Sequence, residues 1–304
     1  NKSLFNYHFI SMNYVKEKKR TFLSTLKGVI HWILHLISNK KKSKIFISEL
    51  GLNYHVPSTT IFSRNLYKYG SWEAKETNWI IKNFYNLESA NFVDVGANFG
   101  WYTCIFSQLA RHNGKVIAIE PSPDNLKYLE NNIQENDLKN VLLEKVAVGE
   151  KEENLLLYKA LNSNPGAHSL IKNTPFQDKE GLTYPVKVKS LDSILFNINK
   201  INLMKMDIEG YEISALKGGL DTLKRVENLL IEFSPHLWKN PLEEATEFFK
   251  ILSDSGLQPY TLEKNSLKRF DKADIDELFK RLIKIDRNDF SISFFQRDFI
   301  FSRT

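Results

Sequence analysis

Cysteine is almost missing from this chain of 304 residues. The single thiol, Cys104, rules out an internal disulfide and fits a reducing, cytoplasmic setting. It falls on an expected helix, where a packed core thiol is the reading rather than a nucleophile. Long apolar runs are missing too. The stretch Phe22 to Ser38 is about seventeen residues long and carries Lys27, His31 and His35, so it is short and polar for a membrane span. No small-residue cleavage site follows it, which argues against a signal peptide. No His-x-x-Glu or cysteine cluster points to zinc. There is no internal repeat and no Gly-x-Gly-x-x-Gly turn.

The charge is uneven. The whole chain carries a formal +6, but residues 1–50 hold ten Lys and Arg against two acids, a net of +8. The remainder is nearly neutral, with 32 basic against 34 acidic side chains. The basic character therefore does not argue for a nucleic-acid groove across the protein. Within the appendage, Phe22, Leu26, Val29, Ile30, Ile33 and Ile37 recur at helical spacing, with basic clusters on both sides. Two readings stay open: a helix lying peripherally on an anionic membrane surface, or one packed on the rest of the chain or on a second subunit. The first residue is Asn1 rather than Met, in keeping with a natural start further upstream. The expected division is a basic amphipathic appendage at 1–44 and a catalytic domain at 45–304.

What is present is a strand, a glycine turn and a helix. Phe92 to Val95 reads as a buried parallel strand with Asp94 inside it. Gly96-Ala97-Asn98-Phe99-Gly100 follows, then a helix from about Trp101 to Arg111, with Asn113-Gly114 as its stop signal. The free backbone N–H groups at the start of such a helix can meet a ligand. A dinucleotide turn needs a second glycine where the backbone approaches the pyrophosphate. Asn98 stands there and would crowd a diphosphate. The next strand, Lys115 to Ile119, ends in Glu120, placed to accept hydrogen bonds from ribose hydroxyls. Ribose recognition without pyrophosphate recognition points to S-adenosyl-L-methionine.

Asp94-Val-Gly-Ala-Asn-Phe-Gly-Trp-Tyr-Thr103 resembles the opening motif of the FkbM-type S-adenosylmethionine-dependent methyltransferases. Glu120-Pro-Ser-Pro-Asp-Asn125, Leu191-Asp192 and Lys205-Met-Asp-Ile-Glu-Gly-Tyr-Glu212 are similar to their later motifs. The resemblance runs from about Tyr69 to the C-terminus. It implies a Rossmann-like class I α/β fold with a mostly parallel seven-stranded sheet and helices on both faces. It also implies a hydroxyl acceptor, often a sugar of a glycan, and a segment at Tyr69–Glu73 that approaches the cofactor. Trp72 and Glu73 become wall candidates; the alternative is capping by Ser71 with Trp72 in the core. The expected cofactor set is Glu73, Asp94, Gly96, Ala97, Asn98, Gly100, Glu120, Pro121 and Ala147. The last belongs to Lys145–Val148, which would reach the adenine edge.

Elsewhere, residues 44–69 suggest short strands broken at Pro57. Ser122 can cap a helix with Pro123 at its first position. Leu155–Tyr158 and Val186–Val188 read as an added strand pair around a turn-rich insertion, Asn164 to Ser169, that offers His168 and Ser169 as substrate contacts. Asp271 to Asp289 reads as a solvated helix. Asp207 stands at the end of the strand Ile201–Met206, where open α/β sheets bind ligands. It leads the catalytic candidates, with Glu209 and His236. Asp207 and Glu232 are a candidate pair for a hard cation such as Mg²⁺; His236 is the alternative base. Glu212 is divided between catalysis and support of the Gly210 turn. Two other function classes are weighed against methyl transfer. An NAD(P)-dependent oxidoreductase is opposed by Asn98 in the second-glycine position. A non-catalytic glycan- or partner-binding module is opposed by the complete set Asp94, Gly96, Gly100 and Glu120.

Overall fold

The computed structural model describes residues 42–303 apart from 112, 264–265 and 285–295, together with Leu26, Ile30 and Ile33. Those three apolar residues are helical and exposed. The rest of the expected amphipathic segment lies outside the described residues, so neither reading of it is tested. The first strand, β1 (Lys42–Ile47), runs across the expected boundary at residue 44.

β1 pairs antiparallel with β2 (Leu52–Pro57). Leu52, Tyr54 and Val56 turn inward at the period of two that a half-buried strand requires. The expectation of strands through residue 69 then fails. Thr60 accepts a hydrogen bond from the Ser63 N–H and starts a helix, α1 (Ile61–Tyr69), which Gly70 closes in a left-handed conformation. A second helix, α2 (Ala74–Phe84), begins directly after Glu73 rather than after a Ser71 cap.

The organising stretch forms as expected. β3 (Phe92–Val95) leads through the glycine turn into α3 (Trp101–Ala110), then β4 (Val116–Ile119), α4 (Pro123–Glu135) and β5 (Val141–Glu144). Ser122 caps α4 with Pro123 behind it. Three strands then leave the main sheet. β6 (Ala147–Val148), β7 (Glu153–Tyr158) and β8 (Thr183–Lys189) make a small sheet in the order β6-β8-β7. The chain returns through α5 (Leu191–Ile194), β9 (Leu203–Met206), α6 (Glu212–Lys217), α7 (Leu220–Leu223) and β10 (Asn228–Phe233). It ends with α8 (Pro241–Asp254), the hairpin β11 (Gln258–Glu263) and β12 (Ser266–Arg269), α9 (Lys272–Lys284) and β13 (Arg297–Ser302).

The main sheet reads β12-β11-β13-β10-β9-β3-β4-β5. The five strands from β10 to β5 are parallel, and β13, β11 and β12 join antiparallel. Seven strands of the expected sheet are there, and the β11–β12 hairpin adds an eighth. Parallel strands must be covered on both faces. One face packs under α1, α2, α3 and the β1–β2 hairpin. The other packs under α6 and α8 around Phe233, whose ring lies 4.9 Å from Trp238 and 5.4 Å from Phe248. α9 is not simply solvated: Leu278 and Leu282 are buried in that second core. Truncating Phe233 to alanine would cost about 3–5 kcal/mol.

Strand order reverses between β3 and β9, where β4 lies on one side of β3 and β9 on the other. A cleft therefore opens at the carboxyl ends of these strands.

Candidate active site

A cavity of about 330 Å³ fills that cleft. Its walls come from the glycine turn, the ends of β4, β9 and β10, the α1–α2 junction and the β7–β8 insertion. Of the expected cofactor residues, Glu73, Asp94, Gly96, Ala97, Asn98, Glu120, Pro121 and Ala147 all line it. Gly100 does not. It starts α3 in a left-handed conformation, and a Cβ there would stand 2.6 Å from Leu129 Cδ1. Gly100 thus shapes the turn from behind.

The turn is tied down by Glu120. One carboxylate oxygen accepts the Asn98 N–H at 2.8 Å, and the other accepts the Ser122 N–H at 2.8 Å. Burial pushes the Glu120 carboxyl up to about 7, against the pull of those two N–H groups. Asp94 is buried as well and accepts a hydrogen bond from the Thr103 hydroxyl at 2.5 Å. Burial raises its pKa, and Lys205 opposes the rise. Four buried polar atoms near this end, Asp94 Oδ1, Asn98 Oδ1, Asn125 Oδ1 and His168 Nε2, have no hydrogen-bond partner among the described residues.

The other end of the cavity is acidic. Glu73, Asp207, Glu209 and Glu232 line it around one ammonium group, Lys205. Cross-strand register explains the grouping. Lys205 on β9 pairs beside Asp94 on β3, and Glu232 on β10 pairs with Asp298 on β13. Lys205 Nζ lies 2.8 Å from Asp207 Oδ2 and 5.1 Å from the Tyr102 ring centroid. Burial presses this ammonium to lose its proton. The carboxylates of Asp207, Glu73 and Asp94 outweigh burial and hold its pKa above the ordinary lysine value. Burial raises the pKa of Glu73, Glu209, Glu232 and Asp298, and neighbouring acids raise the last three further. Tyr102 donates to Glu73 at 2.6 Å.

Two expectations change here, and one open alternative is decided. Asp207 already has a counter-charge in Lys205, which takes the place given to a hard cation. Among the described residues no group of three or more His, Cys, Asp or Glu is arranged to hold a metal ion, and Mg²⁺ has no ligand set of that kind. His236 sits half-buried on the turn after β10 and is not among the lining residues. Glu212 is fully buried and accepts the N–H groups of Ile208 and Gly210, each at 3.1 Å. It supports the turn, which Glu209 and Gly210 traverse with φ of 54° and 95°.

Sequence reading passed over Lys205, Asp298, Tyr102 and Asn125. A signal existed for the first: it is the one charge in the otherwise apolar strand Leu203–Met206. No comparable signal marked Asp298, because only the pairing of β13 with β10 brings it near Glu232.

The methyltransferase FkbM domain model matches residues 94–286, about two-thirds of the chain. The protein belongs to this family. Methyltransferase 1 of Beauveria bassiana is 25% identical over 157 residues, covering 46% of this chain and 63% of its own length. The hexuronic acid methyltransferase AglP of Haloferax volcanii is 26% identical over 166 residues, covering 54% of this chain and 62% of its own. The chain thus spans less than two-thirds of either relative. The solved structure of methyltransferase FkbM from Methylobacillus flagellatus KT superposes with a TM-score of 0.42 at 18% identity, covering 91% of this chain and 62% of that one. The matched segment holds the cavity-lining residues from Asp94 through Glu232, whereas Thr60, Ile61, Phe62, Trp72, Glu73 and Gln296 line the cavity from outside it. No helix among the described residues is long and apolar enough to cross a membrane.

Proposed function

We propose that the protein transfers a methyl group from S-adenosylmethionine to a hydroxyl of a sugar in a glycan or glycoconjugate. One observation carries this reading. A single cavity joins the glycine turn and Glu120 at one end to Asp207 and its neighbouring acids at the other. The family supports methyl transfer, and a relative named for hexuronic acid supports a sugar.

The residues suit the cofactor. Glu120 can accept from both ribose hydroxyls while it holds the turn. Ala147 and Val148 offer an apolar edge for the adenine, and Glu73 and Asp94 can take the amino group of the methionine part. S-adenosylmethionine supplies a methyl group on a sulfonium centre, which a nucleophile displaces in line. The protein's share is chiefly positioning and water exclusion. A sugar hydroxyl is a poor nucleophile and gains from a base. Asp207 lines the cavity at the switch point and can hold that hydroxyl and take its proton, with Glu209 beside it. Lys205 would orient the Asp207 carboxylate through their ion pair.

Calorimetry with S-adenosylhomocysteine and with NADH tests the cofactor half. Micromolar binding of the first and none of the second is expected. Preferential NADH binding would sink the reading. Methyl transfer from S-adenosylmethionine to a panel of glycosides and lipid-linked glycans tests the acceptor half.

A further inference from the structure

The insertion between β7 and β8 has no counterpart in the minimal cradle of strand, turn and helix. It nonetheless meets the rest of the cavity at four points. Ile61 N–H donates to the Ser163 carbonyl at 3.0 Å, from the α1 side. The Asn125 side-chain amide donates to the Pro165 carbonyl at 3.2 Å, from α4. Gly166 lies over the glycine turn so closely that a Cβ would stand 2.9 Å from Asn98 Nδ2. The Ser169 hydroxyl donates to the Glu209 carbonyl at 2.7 Å, at the acidic end.

His168 sits in the middle of these ties. It is 7% exposed and lines the cavity. Its Nδ1 lies 2.8 Å from the Ala160 backbone nitrogen. A backbone N–H can only donate, so Nδ1 must carry its lone pair. The proton of the neutral ring then resides on Nε2. Burial supports the neutral form, since it presses the imidazole pKa down to about 4. The Nε2–H is thus a buried donor, and it has no partner among the described residues. A donor left in that state is costly, and a ligand that accepts from it removes the cost.

We propose that His168 donates its Nε2–H to an acceptor atom of the adenosine half of the bound cofactor, and so makes the β7–β8 insertion part of the cofactor site. This rests on the methyltransferase reading above. The location decides for adenosine over the acceptor sugar. The His168 ring meets Tyr184, which packs with the cluster of Ala147 and Leu157 and donates to Asp124 at 2.5 Å, at the start of the helix that follows Glu120, whereas Asp207 pairs with Lys205 on β9. Tyr184 braces the His168 ring edge-on, with centroids 6.4 Å apart. The donor is pre-placed, so binding need not order it.

The test uses nitrogen-15 NMR of the wild-type protein, free and loaded with S-adenosylhomocysteine, together with calorimetry on His168→Phe. The free protein should show the Nε2–H tautomer, and loading should move the Nε2 resonance. His168→Phe should weaken S-adenosylhomocysteine and 5′-methylthioadenosine by the same factor, roughly tenfold, because the second ligand keeps the adenosine and lacks the amino acid. An Nδ1–H tautomer, an Nε2 resonance unmoved by loading, or unchanged affinity in a folded His168→Phe protein overturns the proposal. The wild-type spectra decide it even where the variant does not fold. Failure of the wild type to bind S-adenosylhomocysteine at all would instead overturn the cofactor reading itself.

Discussion

Gly96 faces the backbone carbonyl of Asp207 so closely that a Cβ at residue 96 would stand 1.9 Å from that oxygen. The cofactor turn and the proposed catalytic acid are therefore packed against each other through bare backbone. The contact continues a ladder in which the Asp207 N–H donates to the Val95 carbonyl at 3.1 Å. Neither partner can yield, because both strands are central and buried. Gly96 also has a φ of 81°, which disfavours any side chain.

Gly96→Ala should for these reasons lose several times more stability than Gly51→Ala. Gly51 has a comparable φ of 65° but open space around it, so its alanine variant should cost only about 1 kcal/mol. Urea unfolding of the two variants isolates the steric part. Equal losses would mean that the β3–β9 contact relaxes freely.

Lys205 and Asp207 form the pair on which the acidic end depends. Asp207→Asn should keep the fold and the affinity for S-adenosylhomocysteine while turnover falls by on the order of a hundredfold, the scale of lost acid–base help. Normal binding with normal turnover would make Asp207 a turn residue only. Lys205→Met should act differently. It leaves Asp207, Glu73 and Asp94 without their counter-charge and should cost about 3–5 kcal/mol near neutral pH. The double variant Lys205→Met/Asp207→Asn should then be less destabilised than the two single losses added together. Strict additivity would show that the ion pair carries no coupling.

Much of this site can be read from linear sequence because the cofactor end is local. Asp94 through Gly100 and Glu120 through Asn125 each form one turn whose residues meet their partners within a few positions. Asn98 met Glu120 across a single β–α–β unit, so the expected set proved nearly complete as a cavity lining. The acidic end is assembled across strands instead. Asp298 approaches through an antiparallel edge strand, and Lys205 gains meaning only beside Asp94 and Asp207. His236 misled for a related reason: its type suited catalysis, but it sits off the cavity on the turn after β10, whereas Glu212 takes the turn-supporting role already weighed for it. The helix at Ile61–Tyr69 was obscured because Pro57 and the alternation before it extended a strand pattern past its true end.

Glu120 makes cofactor binding depend on pH. Its pKa of about 7 in the empty protein lies above the ordinary carboxyl value of 4.5. Ribose hydroxyls donate best to the carboxylate, so ligand binding favours the ionised form. Affinity for S-adenosylhomocysteine should therefore rise as pH increases from about 5 to about 7 and level off above. The sign for folding is opposite. A raised pKa contributes stability that is present below 4.5 and lost as pH rises through about 7, so the empty protein should melt lower across that window. Glu120→Gln should flatten both profiles, and Glu120→Ala should weaken binding by about 1–3 kcal/mol. Proton release measured by calorimetry in buffers of different ionisation enthalpy checks the first claim. A flat affinity profile in the wild type would remove Glu120 from the ribose.

The charge of the acceptor is the last consequence. Asp207, Glu209 and Glu232 line the acceptor end, with Asp298 beside them, and Lys205 is already committed to Asp207. A uronate carboxylate entering there would find no free cation among these groups. It would also meet acids whose pKa values are already raised by burial and by one another. At an effective dielectric near 20, one added like charge about 4 Å away costs about 4 kcal/mol. A neutral sugar hydroxyl faces no such cost and can donate to any of the carboxylates. The expected order is therefore a neutral hexoside above the matching hexuronate, by roughly tenfold or more in kcat/KM. Matched pairs of glycosides differing only at the carboxylate provide the measurement, at pH 7 and at low and high salt. Esterifying the uronate should restore the rate, since it removes the charge and keeps the ring. A hexuronate turned over faster than its neutral twin would show that Lys205 leaves Asp207 to meet the substrate, and that this lysine, rather than the acids, selects the acceptor.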